Sequence, residues 1–284
     1  VAEILDGKAV AAQIRTEVAE GVAELKSRGV PVRLDVVLVG DDPASMTYVR
    51  MKQRDCEEVG IESRAHRFAA DVAQEELAAL VEELNTDPRV SGFFIQLPLP
   101  AGLEALPLVS AIDPSKDVDG LSPLSAGRLA VGLPSLLPCT PHGVIQLLKR
   151  SGAEIEGKEA VVVGRSNLVG RPLAQLLLRE NTTVTVCHSR TKTLPEVTRR
   201  AELLVVAVGR KEMVGAEYVR EGAIVVDVGI HAREGGGLLG DVRFEEVEPM
   251  ASYISPVPGG VGPMTRAMLL YNTLEAARVR AGAA

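Results

Sequence analysis

Apolar positions along this chain alternate between two rhythms. Residues 8–28 place them on one face of a 3.6-residue period, which predicts a helix. LDVVLVG (34–40) is a nearly unbroken apolar run and predicts a buried strand. Asp42-Pro43 then supplies an N-cap and a proline at the first helical position, opening a helix to about Val59 that Gly60 ends. SRAHRFA reads as a strand, EELAALVEELN as an amphipathic helix, and SGFFIQLPLP as a strand entering a proline-stiffened loop. From Glu159 the alternation resumes with AVVVG, a helix, TTVTVCHS, a short helix, ELLVVAVG, a short helix and AIVVDVG. A final helix, from about Pro263 to Val279, follows PVPGGVGPMT. Strands that alternate with helices need crossover connections, so the expected fold class is α/β, with a mainly parallel sheet flanked by helices in each of two domains.

Between the two alternating halves, Ala111 to Pro141 is rich in proline and in turn residues around IDPSKDVDGLSP. It reads as a site loop plus linker, with Thr140-Pro141 as the N-cap and first-turn proline of the next helix. A chain of 284 residues exceeds what one small core usually takes, which also favours two domains. Hydrophobic residues make up 46% but aromatics only 3%, so Val, Leu, Ile and Ala must do the packing. The formal charge of −7 and the lack of a basic run argue against a nucleic-acid partner. No apolar run approaches the roughly 18 residues that span a bilayer, and the first residues lack a signal-peptide core; the expectation is a cytoplasmic protein without a membrane partner. Cys56, Cys139 and Cys187 are far apart and odd in number, so neither a metal site nor a disulfide framework is expected, only buried thiols.

The chemistry begins at EAVVVGRSNLVGRP (159–172). The G-x-G-x-x-G of dinucleotide turns is absent, but its physics survives: Gly164 can make the tight turn, Ser166 is small where a pyrophosphate approaches, and Gly170 allows close packing. An NAD site usually carries an acid at the end of the following strand. Here that strand ends in His188, Ser189, Arg190 and Thr191. Arg165 and Arg190, with the hydroxyls, suit a 2′-phosphate and favour NADP over NAD. In the first half, Tyr48 and Lys52 are four apart and share a helix face. Gln96 ends a strand, where α/β ligand sites form, and Asp117 and Asp119 lie in a Pro/Gly-bounded loop. Spacing alone leaves Lys52 an exposed lysine and Asp119 a loop-capping Asx turn.

Six segments change that balance. TYVRMK, IQLPLP, PSKDVDG, VVGRSNLVGRP, CHSRT and PVPGGVGPMT, in this order, resemble the bifunctional methylenetetrahydrofolate dehydrogenase/cyclohydrolase family over essentially the whole chain. The resemblance implies NADP-dependent oxidation of 5,10-methylenetetrahydrofolate to 5,10-methenyltetrahydrofolate, then hydrolysis to 10-formyltetrahydrofolate, within one-carbon metabolism and purine biosynthesis. It implies a folate-binding catalytic domain over 1–139 plus the C-terminal helix 263–284, a Rossmann-type NADP domain over 140–262, and a folate cleft between them. It matches Lys52 to the essential lysine, Tyr48 to the tyrosine packing on folate, Gln96 to the residue orienting the lysine, and Asp119 to the acid binding the pterin; these four are the catalytic set. Ile95 and Leu97 flank Gln96 as substrate contacts, and Pro258, Gly259, Gly260, Val261 and Gly262 match the loop closing over folate and nicotinamide. Gly164, Arg165, Ser166, Ser189 and Ile230 match NADP contacts. Homodimerisation is likewise an implication of the family.

Other polar residues are expected to be structural. His142 reads as surface, His66 and His231 as lacking a partner pattern, and His188 as backbone or packing. Asp117 reads as structural, Asp227 as ordering the loop that holds Ile230, and Glu234 to Gly237 as an exposed hairpin turn. The alternatives are a dehydrogenase-only family member, against which Lys52 and Gln96 argue; a shikimate-type NADP dehydrogenase, which would not call for YVRMK, KDVDG and PGGVGPMT together; and a non-enzymatic NADP-binding protein.

Overall fold

The computed structural model describes residues 2–282; Val1 and the last two positions of the expected 263–284 segment lie outside them. The chain divides into two compact units: Gln13–Cys139 with Met268–Ala284, and Val1–Ala12 with Thr140–Ala267. The N-terminal segment joins the second because β1 (Glu3–Ile4) pairs in parallel with Tyr253–Ile254. A two-residue strand has no periodicity, so the sequence carries no sign of this pairing. The first helix, α1 (Gly7–Ser27), starts in that unit and continues into the other.

The unit built on 13–139 carries β2 (Arg33–Val39), α2 (Pro43–Glu58), β3 (Glu62–Phe68), α3 (Gln74–Thr86), β4 (Gly92–Ile95), α4 (Ala105–Ser110) and α5 (Pro123–Ala130). The sheet order is β3-β2-β4, all parallel. Val37, Val39, Phe93 and Ile95 bury one face against Leu77, Leu80 and Leu84 of α3. The chain leaves β2 for β3 on one side and returns to β4 on the other, so the carboxyl ends of β2 and β4 form a topological switch point, where α/β sheets hold ligands. Asp42 caps α2 as expected, its Oδ2 accepting the Ser45 amide at 2.7 Å. His66 has a partner after all: its Nε2 lies 2.7 Å from Oδ2 of buried Asp35, which Arg33 also holds. Strand register makes that contact, and no linear motif encodes it.

The second unit follows with α6 (Cys139–Arg150), β5 (Glu159–Val163), α7 (Gly170–Arg179), β6 (Thr183–Cys187), α8 (Leu194–Thr198), β7 (Leu203–Val206), β8 (Ile224–Asp227), β9 (His231–Ala232), β10 (Leu238–Leu239), α9 (Phe244–Val247), β11 (Tyr253–Ile254) and α10 (Val261–Arg280). Its six-stranded sheet, β1-β11-β8-β7-β5-β6, is parallel throughout. Central strands β7 and β8 are buried along their whole length, which is why LLVV and IVVD show no alternation. Strand β5 sits between β6 and β7, so this sheet switches direction at β5 and β7. β9 and β10 form the expected hairpin across Glu234–Gly237.

Two expectations need correction. The stretch from Ala111 to Pro141 is not all loop: α5 lies inside it, with Ser122 as N-cap accepting the Ser125 amide and Pro123 in the first turn. Eight residues are too few to show a helical period, and the surrounding prolines hid the cap. Thr140 is not an N-cap, because α6 already begins at Cys139; its hydroxyl instead bonds that of Thr265 at 2.9 Å.

Candidate active site

Helix α2 carries Lys52 past the end of β4. Lys52 Nζ donates to Gln96 Oε1 at 3.3 Å and stands 3.9 Å from the centre of the Phe94 ring. Gln96 is itself fixed, its Nε2 donating to the Leu97 carbonyl at 2.9 Å. The amide oxygen and the ring face thus hold one ammonium group, which forms no ion pair among the described residues. Tyr48, one turn earlier on α2, is 47% exposed, with its ring free for a flat partner. Ile95 lies in the core under α3, so what it can offer a ligand is backbone. Phe94, absent from the sequence reading, was detectable only as the neighbour of Gln96 in an apolar run.

The loop 116–122 brings Asp119 to the same unit. Asp117 anchors it: its buried carboxylate accepts the amides of Gly120, Leu121 and Ser122 and the Ser125 hydroxyl. The Asx-type cap is therefore Asp117, as its structural reading requires, and Asp119 is left for other work. Burial lifts the Asp119 carboxyl above its ordinary range; the Lys52 charge opposes the rise, Asp117 adds to it, and the Cys139 thiol beside it opposes it weakly. Burial also pushes Cys139 well up, so it remains a thiol. Asn272 of α10 clamps this loop from behind, donating to Val118 O and Leu137 O at 2.8 Å each. It lies more than 130 residues downstream of both, which kept it out of any local motif.

In the other unit, a cavity of about 640 Å³ opens at the carboxyl ends of β5 and β7. Gly164, Arg165, Ser166 and Ser189 line it together with His188 and Thr191. Arg190 is exposed and is not among the lining residues; its amide donates to His188 Nδ1 at 3.1 Å. Residues not foreseen, Arg210 and Lys211, reach it from the loop after β7. Gly164 has φ +125°, and a Cβ there would meet the Ala207 carbonyl oxygen at 2.1 Å. A Cβ on Gly170 would meet the Gly164 oxygen at the same distance, so the two glycines allow the turn to close on itself. Ser166 Oγ accepts the Val169 amide, holding the turn open toward the cavity. Cations and hydroxyls line the cavity and no carboxylate does, a donor set that fits a phosphate-bearing dinucleotide.

Ile230 sits elsewhere in this unit, beside Gly262: a Cβ on Gly262 would lie 3.7 Å from Ile230 Cδ1. Pro258 is exposed, whereas Gly259, Gly260 and Val261 are buried, the last beginning α10. Gly7 backs this loop so closely that a Cβ there would overlap the Gly260 oxygen. Asp227 orders the Ile230 loop as expected, accepting the amides of Gly229, Asp241 and Val242. His231, expected to lack a partner, has Nε2 2.7 Å from Oδ1 of buried Asp241. His142 is not surface: it is 8% exposed, and desolvation lowers its pKa to about 4, with Lys149, Arg179 and Arg150 adding to the shift. One-turn amphipathicity at the start of α6 does not reveal which side faces inward. A second cavity, about 400 Å³ and lined by Glu154, Lys158, Arg220 and Tyr253, opens at the amino ends of the strands of this unit, away from its switch point.

The family model for the tetrahydrofolate dehydrogenase/cyclohydrolase NAD(P)-binding domain matches residues 138–281, and that for the catalytic domain matches residues 5–119. The chain is 78% identical to the bifunctional protein FolD 1 of Rubrobacter xylanophilus over 280 residues, 99% of each chain. The crystal structure of the bifunctional FolD enzyme of Campylobacter jejuni is similar with a TM-score of 0.97 at 49% identity, covering 99% of this chain and 100% of that one. The Trypanosoma brucei methylenetetrahydrofolate dehydrogenase-cyclohydrolase, complexed with NADP cofactor and inhibitor, is similar with a TM-score of 0.92 at 39% identity over 98% of both chains.

Proposed function

The chain belongs to the tetrahydrofolate dehydrogenase/cyclohydrolase family, and from that premise we propose how its residues divide the work. It is a bifunctional enzyme of one-carbon metabolism. It oxidises 5,10-methylenetetrahydrofolate to the 5,10-methenyl cation with NADP, then hydrolyses that cation to 10-formyltetrahydrofolate.

The observation that carries the division of labour is Lys52, held by Gln96 at 3.3 Å and by the Phe94 ring, with no carboxylate bonded to it among the described residues. The carbon to be oxidised lies between two nitrogens whose lone pairs stabilise the cation that hydride loss leaves. No base must act on carbon in that step, so the protein's task is alignment. When bound, NADP supplies the hydride acceptor. Gly164, Arg165, Ser166 and Ser189 are proposed to hold it, with Ile230 beside Gly262 toward the reacting end. Hydrolysis is different in kind. Water adds to the cationic carbon, the C–O bond forms, a water proton leaves, and one C–N bond breaks as its nitrogen gains a proton. Lys52 is proposed to take the first proton and deliver the second. Tyr48 would stack on the folate, Asp119 would bind the pterin, and Leu97 and Pro258 to Gly262 would complete the substrate contacts. The cytoplasmic setting, the service to purine biosynthesis and the homodimer are proposed on the family resemblance. Light scattering at micromolar concentration should return about twice the 30.1 kDa chain mass, and a monomer would contradict the dimer.

The test of the function is a product time course with 5,10-methylenetetrahydrofolate and NADP. Transient methenyltetrahydrofolate followed by 10-formyltetrahydrofolate faster than the uncatalysed background places both activities in this chain. Simple accumulation of the methenyl species would leave Lys52 without its task.

A further inference from the structure

We infer that Arg210 and Lys211 are specificity-determining residues that bind the ribose phosphate of NADP together with Arg165. The cavity at β5 and β7 is lined by two kinds of side chain. Leu194, Val208, Met213 and Tyr218 supply apolar surface, the kind a purine ring buries. Arg165, Arg210 and Lys211 supply cations, and Ser166, Ser189 and Thr191 hydroxyls. Among the described residues no ion pair takes up any of these three charges. Unpaired cations converging on a cavity without a carboxylate suit an anion of more than one charge. A phosphate monoester carries close to two charges at neutral pH, and the free hydroxyl of NAD carries none.

The two new cations do not stand on a loose loop. Buried Asp241 accepts the amides of Val208, Gly209 and Arg210 at 2.7, 2.9 and 2.8 Å. His231 bonds the same carboxylate at 2.7 Å, and Asp227 holds the Asp241 amide at 3.0 Å. Swinging the 208–211 wall away would strip three charge-assisted hydrogen bonds from a buried carboxylate. The wall is therefore built in place before any ligand arrives, which lowers the ordering cost of binding. The side chains themselves are exposed, so replacing them leaves the core intact.

The inference rests on NADP as the cofactor and adds two cations to its site. It is tested by calorimetric titration of the full-length protein and of an Arg210→Ala/Lys211→Ala variant with NADP, NAD and 2′,5′-ADP at two ionic strengths. The variant should bind NADP and 2′,5′-ADP roughly tenfold or more weakly, keep NAD within about twofold, and show a shallower salt dependence. Unchanged NADP affinity, or equal losses for NADP and NAD, would overturn it. Wild-type protein that binds NADP and NAD equally would instead remove the premise that the 2′-phosphate is read at all.

Discussion

Lys52 shows how little of a residue's role lies in the residue itself. On spacing it is a lysine on a polar helix face; what distinguishes it is Gln96 at 3.3 Å and the Phe94 ring beneath it. Lys52→Met keeps the length and removes the proton-carrying nitrogen. It should lower hydrolysis of methenyltetrahydrofolate by about 10²–10⁴-fold while NADP affinity stays near wild type, read by absorbance decay and by titration. Hydrolysis that persists well above the spontaneous rate would mean another group carries the protons. The histidines make the converse point. His66 and His231 each sit 2.7 Å from a buried aspartate, so they tie strands and loops together.

At the scale of elements, the site depends on short irregular segments tied down by buried polar side chains. Asp117 satisfies three amides and a hydroxyl in the loop that carries Asp119, and Asn272 closes the same loop from α10. Asp117→Ala leaves those donors buried without an acceptor. We expect about 2–4 kcal/mol lost in denaturant unfolding, with KM for the folate raised more than that for NADP. A loss under about 1 kcal/mol would show that the loop finds other acceptors. In the NADP unit the equivalent device is Asp241 under residues 208–210. In both units a strand supplies the direction and a buried carboxylate supplies the exact seat.

For the whole molecule, two buried groups titrate in opposite senses. His142 is held neutral, its pKa lowered to about 4 from an ordinary 6.5, so its contribution is fully present above pH 6.5 and is lost as pH falls toward 4. Asp227 is raised to about 6 from 3.8 by burial, so its contribution is fully present below 3.8 and is lost as pH rises through 6. The two windows overlap and largely offset each other in the wild-type protein. His142→Gln removes only one. Its stability deficit relative to wild type should narrow by roughly 3 kcal/mol between pH 7 and pH 4, followed by urea unfolding across that range. A pH-independent deficit would show that His142 already carries its proton in the folded chain.

Hydrophobic rhythm by itself determined the α/β alternation, the long helices, the strands and the turn at Gly164, because burial of one face or of a whole strand is written residue by residue. The six-motif resemblance gave the family and its chemistry by the same local route, and named the residues proposed for the site. Tertiary structure alone decided the rest. Short elements such as β1 and α5 exist through pairing and capping rather than period. His66, His142 and His231 acquired their environments from register and packing, and Asn272 reached its loop across more than 130 residues of chain. Arg210 and Lys211 line the cavity because parallel strand order, not sequence distance, sets which loops face one another: β7 lies beside β5, and its loop closes the cavity that the glycine turn opens.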